Sequence, residues 1–418
     1  MTSDRECFVS IVLPGRTELV LAGRLRVSHT NEGMSLGRFV YGRSYLDRPD
    51  AVELDPVELR LSRSVYETAR MDGIFGAIRD SMPDFWGRRL IELGTGQVVY
   101  QEVDYLLAGP DDRAGALAFA TDTCLPEPRR AFHSIVDLAR LHAIADRVSL
   151  DDVEGGGSPD RRLRGLDDCR TSMGGARPKA VVERGNRLWL AKFNRPDDRW
   201  NHPRVEHGLL RLARTCGLRS ADSEVQRIGD REVLMVLRFD RQWNGTGYRR
   251  SRMVSGLTLL RADDTPMERW RWSYLALADE LRRASARPAE DLLELFGRIC
   301  FSIVVSNLDD YPRNHALVAP GSHWRLSPAY DLMPVPATGR EQRNLAMICG
   351  PVGRTASRAN ALGAAHRFLL EHDEAVAVFD RIAETVRATW RSTMLECGVS
   401  RRDCDTISSA FVHTDPAE

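Results

Sequence analysis

At 418 residues the chain is too long for one ordinary hydrophobic core and is expected to pack as two or three units. With 43% hydrophobic and 28% charged residues it reads as globular, neither disordered nor fibrous. Lys plus Arg and Asp plus Glu both number 59, so no global charge draws it to nucleic acid or an anionic membrane, and any basic surface is local. The cysteines are scattered with no Cys-x-x-Cys pair, which argues against a disulfide scaffold or structural zinc and for a reducing cytosol. Residues 1–6 carry no apolar signal region, and the greasiest run, 299–305, is too short to span a bilayer, so a cytoplasmic protein is expected.

Along the chain, residues 7–119 mix strand-like runs at 8–13, 19–21 and 51–54 with a helix-prone stretch at 86–93, which predicts a small mixed α/β unit. Ile135, Leu138, Leu141 and Ile144 recur at helical spacing, so a helix is expected over 134–145. Residues 151–160 hold three glycines, a proline and acids, the best linker composition in the chain. Segments 179–184 and 187–193 around Gly185-Asn186 predict a hairpin whose two-residue turn needs positive φ. A period of two places Leu188, Leu190 and Lys192 on one face, directed toward a buried or cleft side. A helix follows over 205–214. A second hairpin, 223–228 and 232–239, ends at Asp240-Arg241. The remainder reads as helical except between Asn307 and Pro334, the kind of interruption where chemistry sits. These shifts set boundaries at 1–150, 151–240 and 241–418.

Four clusters carry the chemistry. Residues 171–179 place Gly174, Gly175 and Ala176 before Arg177 and Lys179; adjacent glycines let backbone N–H groups approach an anion, although the segment taken alone somewhat favours a flexible turn feeding a hairpin. Lys192, in phase with apolar neighbours, requires an anion or a route to solvent, and Glu206 on the next helix is a candidate partner. Asn307-Leu-Asp-Asp-Tyr-Pro-Arg-Asn314 offers a carboxylate able to accept a hydroxyl proton, Asp309, and five residues later an amide oxygen able to ligate Mg²⁺, Asn314; as a bare string it is also a good turn. Asp331 lies between prolines beside Tyr330, Leu332 and Met333, where its commoner role is a helix cap.

The order of these signals is more specific than any one of them. Glycine loop, lysine strand, glutamate helix, hairpin, Asp-x-x-x-x-Asn loop, short hairpin and Asp follow the linear plan of a protein-kinase-like phosphotransferase. His-Arg-Asp, Asp-Phe-Gly and Ala-Pro-Glu are missing, which excludes an ordinary eukaryotic-type kinase.

On residues 73–88, 104–119, 172–179, Arg238-Phe-Asp-Arg241, 309–314 and Asp331, the sequence resembles the HipA family, toxin kinases of bacterial toxin–antitoxin modules, over nearly its whole length. The resemblance implies an α+β, protein-kinase-like bilobal fold with an amino-terminal α/β subdomain and a mainly helical carboxy-terminal lobe. It also implies an ATP- and Mg²⁺-dependent serine/threonine kinase. Asp309 would orient the acceptor hydroxyl, Asn314 and Asp331 would hold metal, and Lys192 would hold phosphate. The loop with Ser172, Gly174, Gly175, Ala176 and Lys179 would cradle nucleotide, and Leu237, Arg238, Phe239 and Asp240 would form the adenine hinge. Ser172, or its neighbour Thr171, would be autophosphorylated. Tyr311 stands where members often carry histidine, and Leu237 where some carry an acid. The partners implied are a helix-turn-helix antitoxin of the HipB type and a protein substrate, an aminoacyl-tRNA synthetase in some members, with DNA reached only through the antitoxin and no membrane. Two other classes remain open on the residues: a non-catalytic co-repressor and a small-molecule phosphotransferase.

Overall fold

The structure, a computed structural model, describes residues 4–29, 34–95, 100–126, 132–154, 177–195, 197–337 and 343–414. It is of the expected α+β class and packs as two compact units. One comprises Met1–Pro196, Gln226–Val254 and Val318–Ser322; the other comprises Asp197–Val225, Ser255–Leu317 and His323–Glu418. These units cut across the expected boundaries at 150 and 240. The amino-terminal segment and most of the β-rich segment share the first unit, while the helix His202–Thr215 belongs to the second.

In the first unit, strands β1 (Arg5–Val12), β2 (Leu19–His29), β3 (Ser35–Tyr41), β4 (Tyr66–Thr68) and β5 (Leu117–Ala120) form an antiparallel sheet in the order β4-β3-β2-β1-β5. Cys7, Val9 and Ile11 alternate into its core with Phe39, Tyr41, Ile74, Phe75 and Ile78. The strand expected at 51–54 does not form. Tyr41 and Tyr45 hydroxyls bond the Leu54 and Val52 N–H groups at 2.9 and 3.3 Å, so side chains take the backbone groups a neighbouring strand would have paired.

A second sheet joins β6 (His133–Ser134), β7 (Lys179–Arg184), β8 (Arg187–Phe193), β9 (Ser223–Ile228) and β10 (Arg231–Leu237) in the order β6-β7-β8-β10-β9. The β7–β8 hairpin turns as expected through Gly185 and Asn186, with φ of 59° and 58°. Trp189, Ala191 and Phe193 enter the main core with Val182, Val233 and Met235, and helices Phe85–Thr95 and Leu138–Glu154 cover that face through Trp86, Leu90, Leu138, Leu141 and Ile144. The Leu188, Leu190 and Lys192 face is therefore the other one. Leu188 and Leu190 meet a smaller cluster with Val181 and Tyr248, and Lys192 is half-buried.

In the second unit, helix His202–Thr215 starts at Asn201, whose side chain accepts the Arg204 N–H, and it ends at Cys216 before Gly217 at φ 85°. Helix Pro288–Val304 is buried nearly all round by Leu292, Leu295, Phe296, Ile299 and Phe301. At its first turn Asp291, wholly buried, accepts bonds from Arg219, Arg325, Ser285 and the Leu326 N–H, which fixes the short hairpin Ala316–Ala319 and Arg325–Leu326 against it. Among the described residues, no helix is long and apolar enough to cross a membrane.

Candidate active site

The loop Asn307–Asn314 begins where helix Pro288–Val304 stops. Ser306, at φ 52°, turns the chain, and the Asn307 N–H bonds back to the Ser302 carbonyl at 2.9 Å. Two tethers bring the Asp331 segment to this loop. Asn307 Oδ1 accepts the Met333 N–H at 3.2 Å, and the Tyr330 hydroxyl donates to the Arg313 carbonyl at 2.7 Å. Asp331 sits between them at φ 59°, a left-handed conformation that costs a non-glycine residue energy and that the flanking bonds sustain.

Asp309 and Asp310 are adjacent but opposite in environment. Asp310 is fully buried and held by the Tyr274 and Ser302 hydroxyls, with His315 Nε2 at 3.1 Å from Oδ1, within ion-pair reach though not aligned for a straight hydrogen bond. Burial pushes its carboxyl upward, but His315 and the two hydroxyls outweigh that and hold it below the usual range. Asp310 is therefore part of the scaffold. Asp309 is solvent-accessible at the edge of a cavity of about 560 Å³, and surrounding protein, then Asp331 and Asp310, raise its affinity for a proton. Its carbonyl accepts the Asn314 side-chain N–H at 3.2 Å. Because a carbonyl only accepts, that bond fixes the orientation of the Asn314 amide and leaves its oxygen as the free acceptor of that group.

These residues fit magnesium. A carboxylate and an amide oxygen are donors that ion takes, and the repulsion of Asp309 by Asp331 is the charge a cation would relieve. Among the described residues no cluster of three His, Cys, Asp or Glu side chains offers a self-sufficient metal cage.

In the first unit, Lys179 and Lys192 are direct cross-strand partners on one face of the sheet, with Lys179 buried and Lys192 half-buried. Like charges placed opposite each other oppose folding unless an anion lies between or beside them. Glu206 is buried on the helix His202–Thr215 of the second unit. Thr171, Ser172, Gly174, Gly175 and Ala176 lie outside the described residues.

The residues expected at the hinge form a buried ion cluster. The Arg238 guanidinium donates to both Asp240 oxygens and to the Asp112 and Arg113 carbonyls, at 2.6 to 3.0 Å. Asp240 also accepts from Arg241 at 2.7 Å and from the Gly115 N–H at 3.0 Å. Burial pushes the Asp240 carboxyl upward, but the two guanidinium groups outweigh it and hold it far below the usual range; burial and the neighbouring Arg238 draw Arg241 down to about 9. With these side chains committed, Arg238 and Asp240 have backbone and not side-chain groups to offer a nucleotide. Leu237 and Phe239 are half-buried at the same strand end.

Sequence reading missed Tyr274, Ser302 and His315, which hold Asp310, and Arg269, Trp272 and Arg354, which line the cavity beside Asp309. His315 follows Asn314 directly and could have been noticed; the others come from distant segments with no local signal.

The HipA-like C-terminal domain model matches residues 171–390, just over half of the chain. A putative kinase, Y4mE, of Sinorhizobium fredii (strain NBRC 101917 / NGR234) is 29% identical over 147 residues, which is 34% of this chain and only 34% of the relative's own length. Among solved structures, a chain of the Shewanella oneidensis MR-1 toxin–antitoxin system HipA, HipB and operator DNA complex superposes with a TM-score of 0.65, covering 94% of each chain at 16% identity. At that identity the likeness is one of fold, and the fold is kinase-like.

Proposed function

The chain belongs to the HipA-like C-terminal domain family, and from that premise we propose that it is an ATP- and Mg²⁺-dependent serine/threonine protein kinase, the toxin of a toxin–antitoxin pair. The observation that carries the reading is the grouping of Asp309, Asn314 and Asp331 by the tethers from Asn307 and Tyr330. Asp309 accepts the hydrogen bond of the acceptor hydroxyl and orients it; its raised proton affinity suits that task. The Asn314 oxygen and the Asp331 carboxylate would hold the metal. Magnesium, when bound, neutralises charge on the transferring phosphates. Lys192, paired across the strands with Lys179, neutralises phosphate oxygens, and the backbone around Leu237 to Asp240 receives adenine. Ser172, or Thr171, accepts phosphate in self-modification and so ejects the nucleotide loop, because two anions cannot share one cradle.

The Shewanella chain was solved with HipB and operator DNA, which supports an antitoxin of that type as partner; we propose that DNA is reached only through the antitoxin. The acceptor is a protein, an aminoacyl-tRNA synthetase by analogy with some members, met in the cytoplasm. Purified protein incubated with Mg²⁺ and ATP labelled on the γ-phosphate tests the reading. Label on Ser172 or Thr171, absent from Asp309→Ala, supports it; no transfer to itself or to any protein acceptor overturns it.

A further inference from the structure

The cavity beside Asp309 has a chemistry of its own. It is lined by Arg269, Trp272, Leu308, Asp309, Asn344 and Arg354, among others, all within the second unit. Asn314 and Asp331 are not among its walls. It thus adjoins the group that meets the acceptor and not the groups that meet metal, which places it on the acceptor side. Arg269 and Arg354 are like-charged neighbours. An Arg354 N–H donates to the Arg269 carbonyl, and burial together with Arg269 lowers the proton affinity of Arg354. The Arg354 guanidinium, anchored on the Arg269 backbone, and the Arg269 side chain line one open cavity, and paired arginines are groups that planar anions select.

The approach to the cavity is also equipped. The short helix Pro266–Arg271 carries Arg269 and exposes Met267 and Trp270, 84% and 69% open, while Arg269 also rests over the Trp272 ring at 5.6 Å. Exposed Trp beside Arg is the composition of a contact hot spot, and charge complementarity selects its occupant.

Resting on the kinase reading above, we propose that this cavity recognises a carboxylate or phosphate side chain flanking the acceptor hydroxyl of a protein substrate, with Arg269 and Arg354 as the anion-binding groups and Trp270 and Met267 as an apolar shoulder. Acidic, and not basic, sequence around the acceptor serine or threonine is then what the enzyme selects. The plainer role for Arg354 is to hold the Arg269 carbonyl, which would leave substrate charge without effect.

Three synthetic peptides with one serine, flanked by aspartates, by phosphoserine or by asparagines, separate these roles when assayed with the full chain and Mg-ATP. The expected result is a KM at least about tenfold lower for the two anionic peptides than for the asparagine peptide. Arg354→Gln should remove that difference while leaving the asparagine peptide and the KM for Mg-ATP unchanged, and Arg354→Lys should restore part of it. Preference for phosphoserine alone or for aspartate alone identifies which anion the site takes. Equal KM for all three peptides, or an Arg354→Gln effect on the KM for Mg-ATP instead, overturns the proposal. If no peptide is phosphorylated, the kinase reading fails separately and binding decides. Anisotropy of the labelled peptides should then still show anion-selective binding lost in Arg354→Gln, and charge-indifferent binding or none overturns the subsite.

Discussion

Arg238–Arg241 in one unit and Asn307–Asn314 in the other both present aspartate in a short polar string, yet the protein uses them in opposite ways. Around Asp240 every charge is answered: two guanidinium groups and a backbone N–H converge on one carboxylate, and the spare donors go to the Asp112, Arg113 and Gly115 carbonyls. Around Asp309 two other acids, Asp331 and Asp310, outweigh the nearby Arg269, and the carboxylate faces a cavity. The Asp240 cluster ties the end of strand β10 to the segment that leads into strand β5 of the amino-terminal sheet and is a structural joint. The Asp309 cluster instead keeps one carboxylate exposed and raised in proton affinity, the state the proposed kinase chemistry would use.

Breaking the joint should cost most. Asp240→Ala leaves Arg238 and Arg241 buried without their carboxylate, and denaturant titration should show a loss of about 3–5 kcal/mol. A loss under about 1 kcal/mol would mean the cluster is not the joint described.

Asp55 sharpens the contrast as a buried aspartate answered on one side only. Its Oδ1 accepts the Val57, Glu58 and Leu59 N–H groups, while Oδ2 is buried without a partner. Burial lifts its pKa from the usual 3.8 to about 6. The folded state therefore keeps a proton that the unfolded chain releases, so the contribution of Asp55 to stability is full below pH 3.8 and is lost as pH rises through 6, about 3 kcal/mol in all. Asp55→Asn should flatten that fall and melt higher than wild type at pH 7.5; an unchanged pH profile would refute the assignment.

Asp331→Ala tests the other region. Stability without ligand should fall somewhat, because alanine tolerates φ 59° less well than aspartate. The stabilisation by saturating Mg-ATP, about 2.7 kcal/mol at a hundredfold excess over Kd, should disappear. A full thermal shift in the variant would remove Asp331 from the metal site.

The smallest effect belongs to the lysine pair. Lys192→Met should leave the ligand-free protein folded while its response to Mg-ATP shrinks. A destabilised variant with an intact ligand response would assign Lys192 to the fold.

The sequence made legible what depends on local pattern. The Gly185-Asn186 hairpin, the helical spacing of Leu138, Leu141 and Ile144, and the position of the Asn307 loop at a helix end all follow from backbone rules. It did not make legible what depends on distant partners. Nothing near Asp309 and Asp310 says which is buried, because Tyr274, Ser302 and His315 decide it; nothing near residue 240 announces Gly115. The strand expected at 51–54 failed for the same reason, since two tyrosine hydroxyls from another segment took its backbone.

The most direct measurement is phosphate transfer from labelled Mg-ATP, taken side by side with melting temperature, in Asp309→Asn and Asp310→Asn. Asp309→Asn should lose about 10²–10⁴-fold in transfer with its melting temperature kept, because the carboxylate acts on the acceptor and supports nothing. Asp310→Asn should melt lower and still transfer phosphate while folded. Wild-type transfer by Asp309→Asn, or abolished transfer by a stably folded Asp310→Asn, would contradict the assignment of the two aspartates.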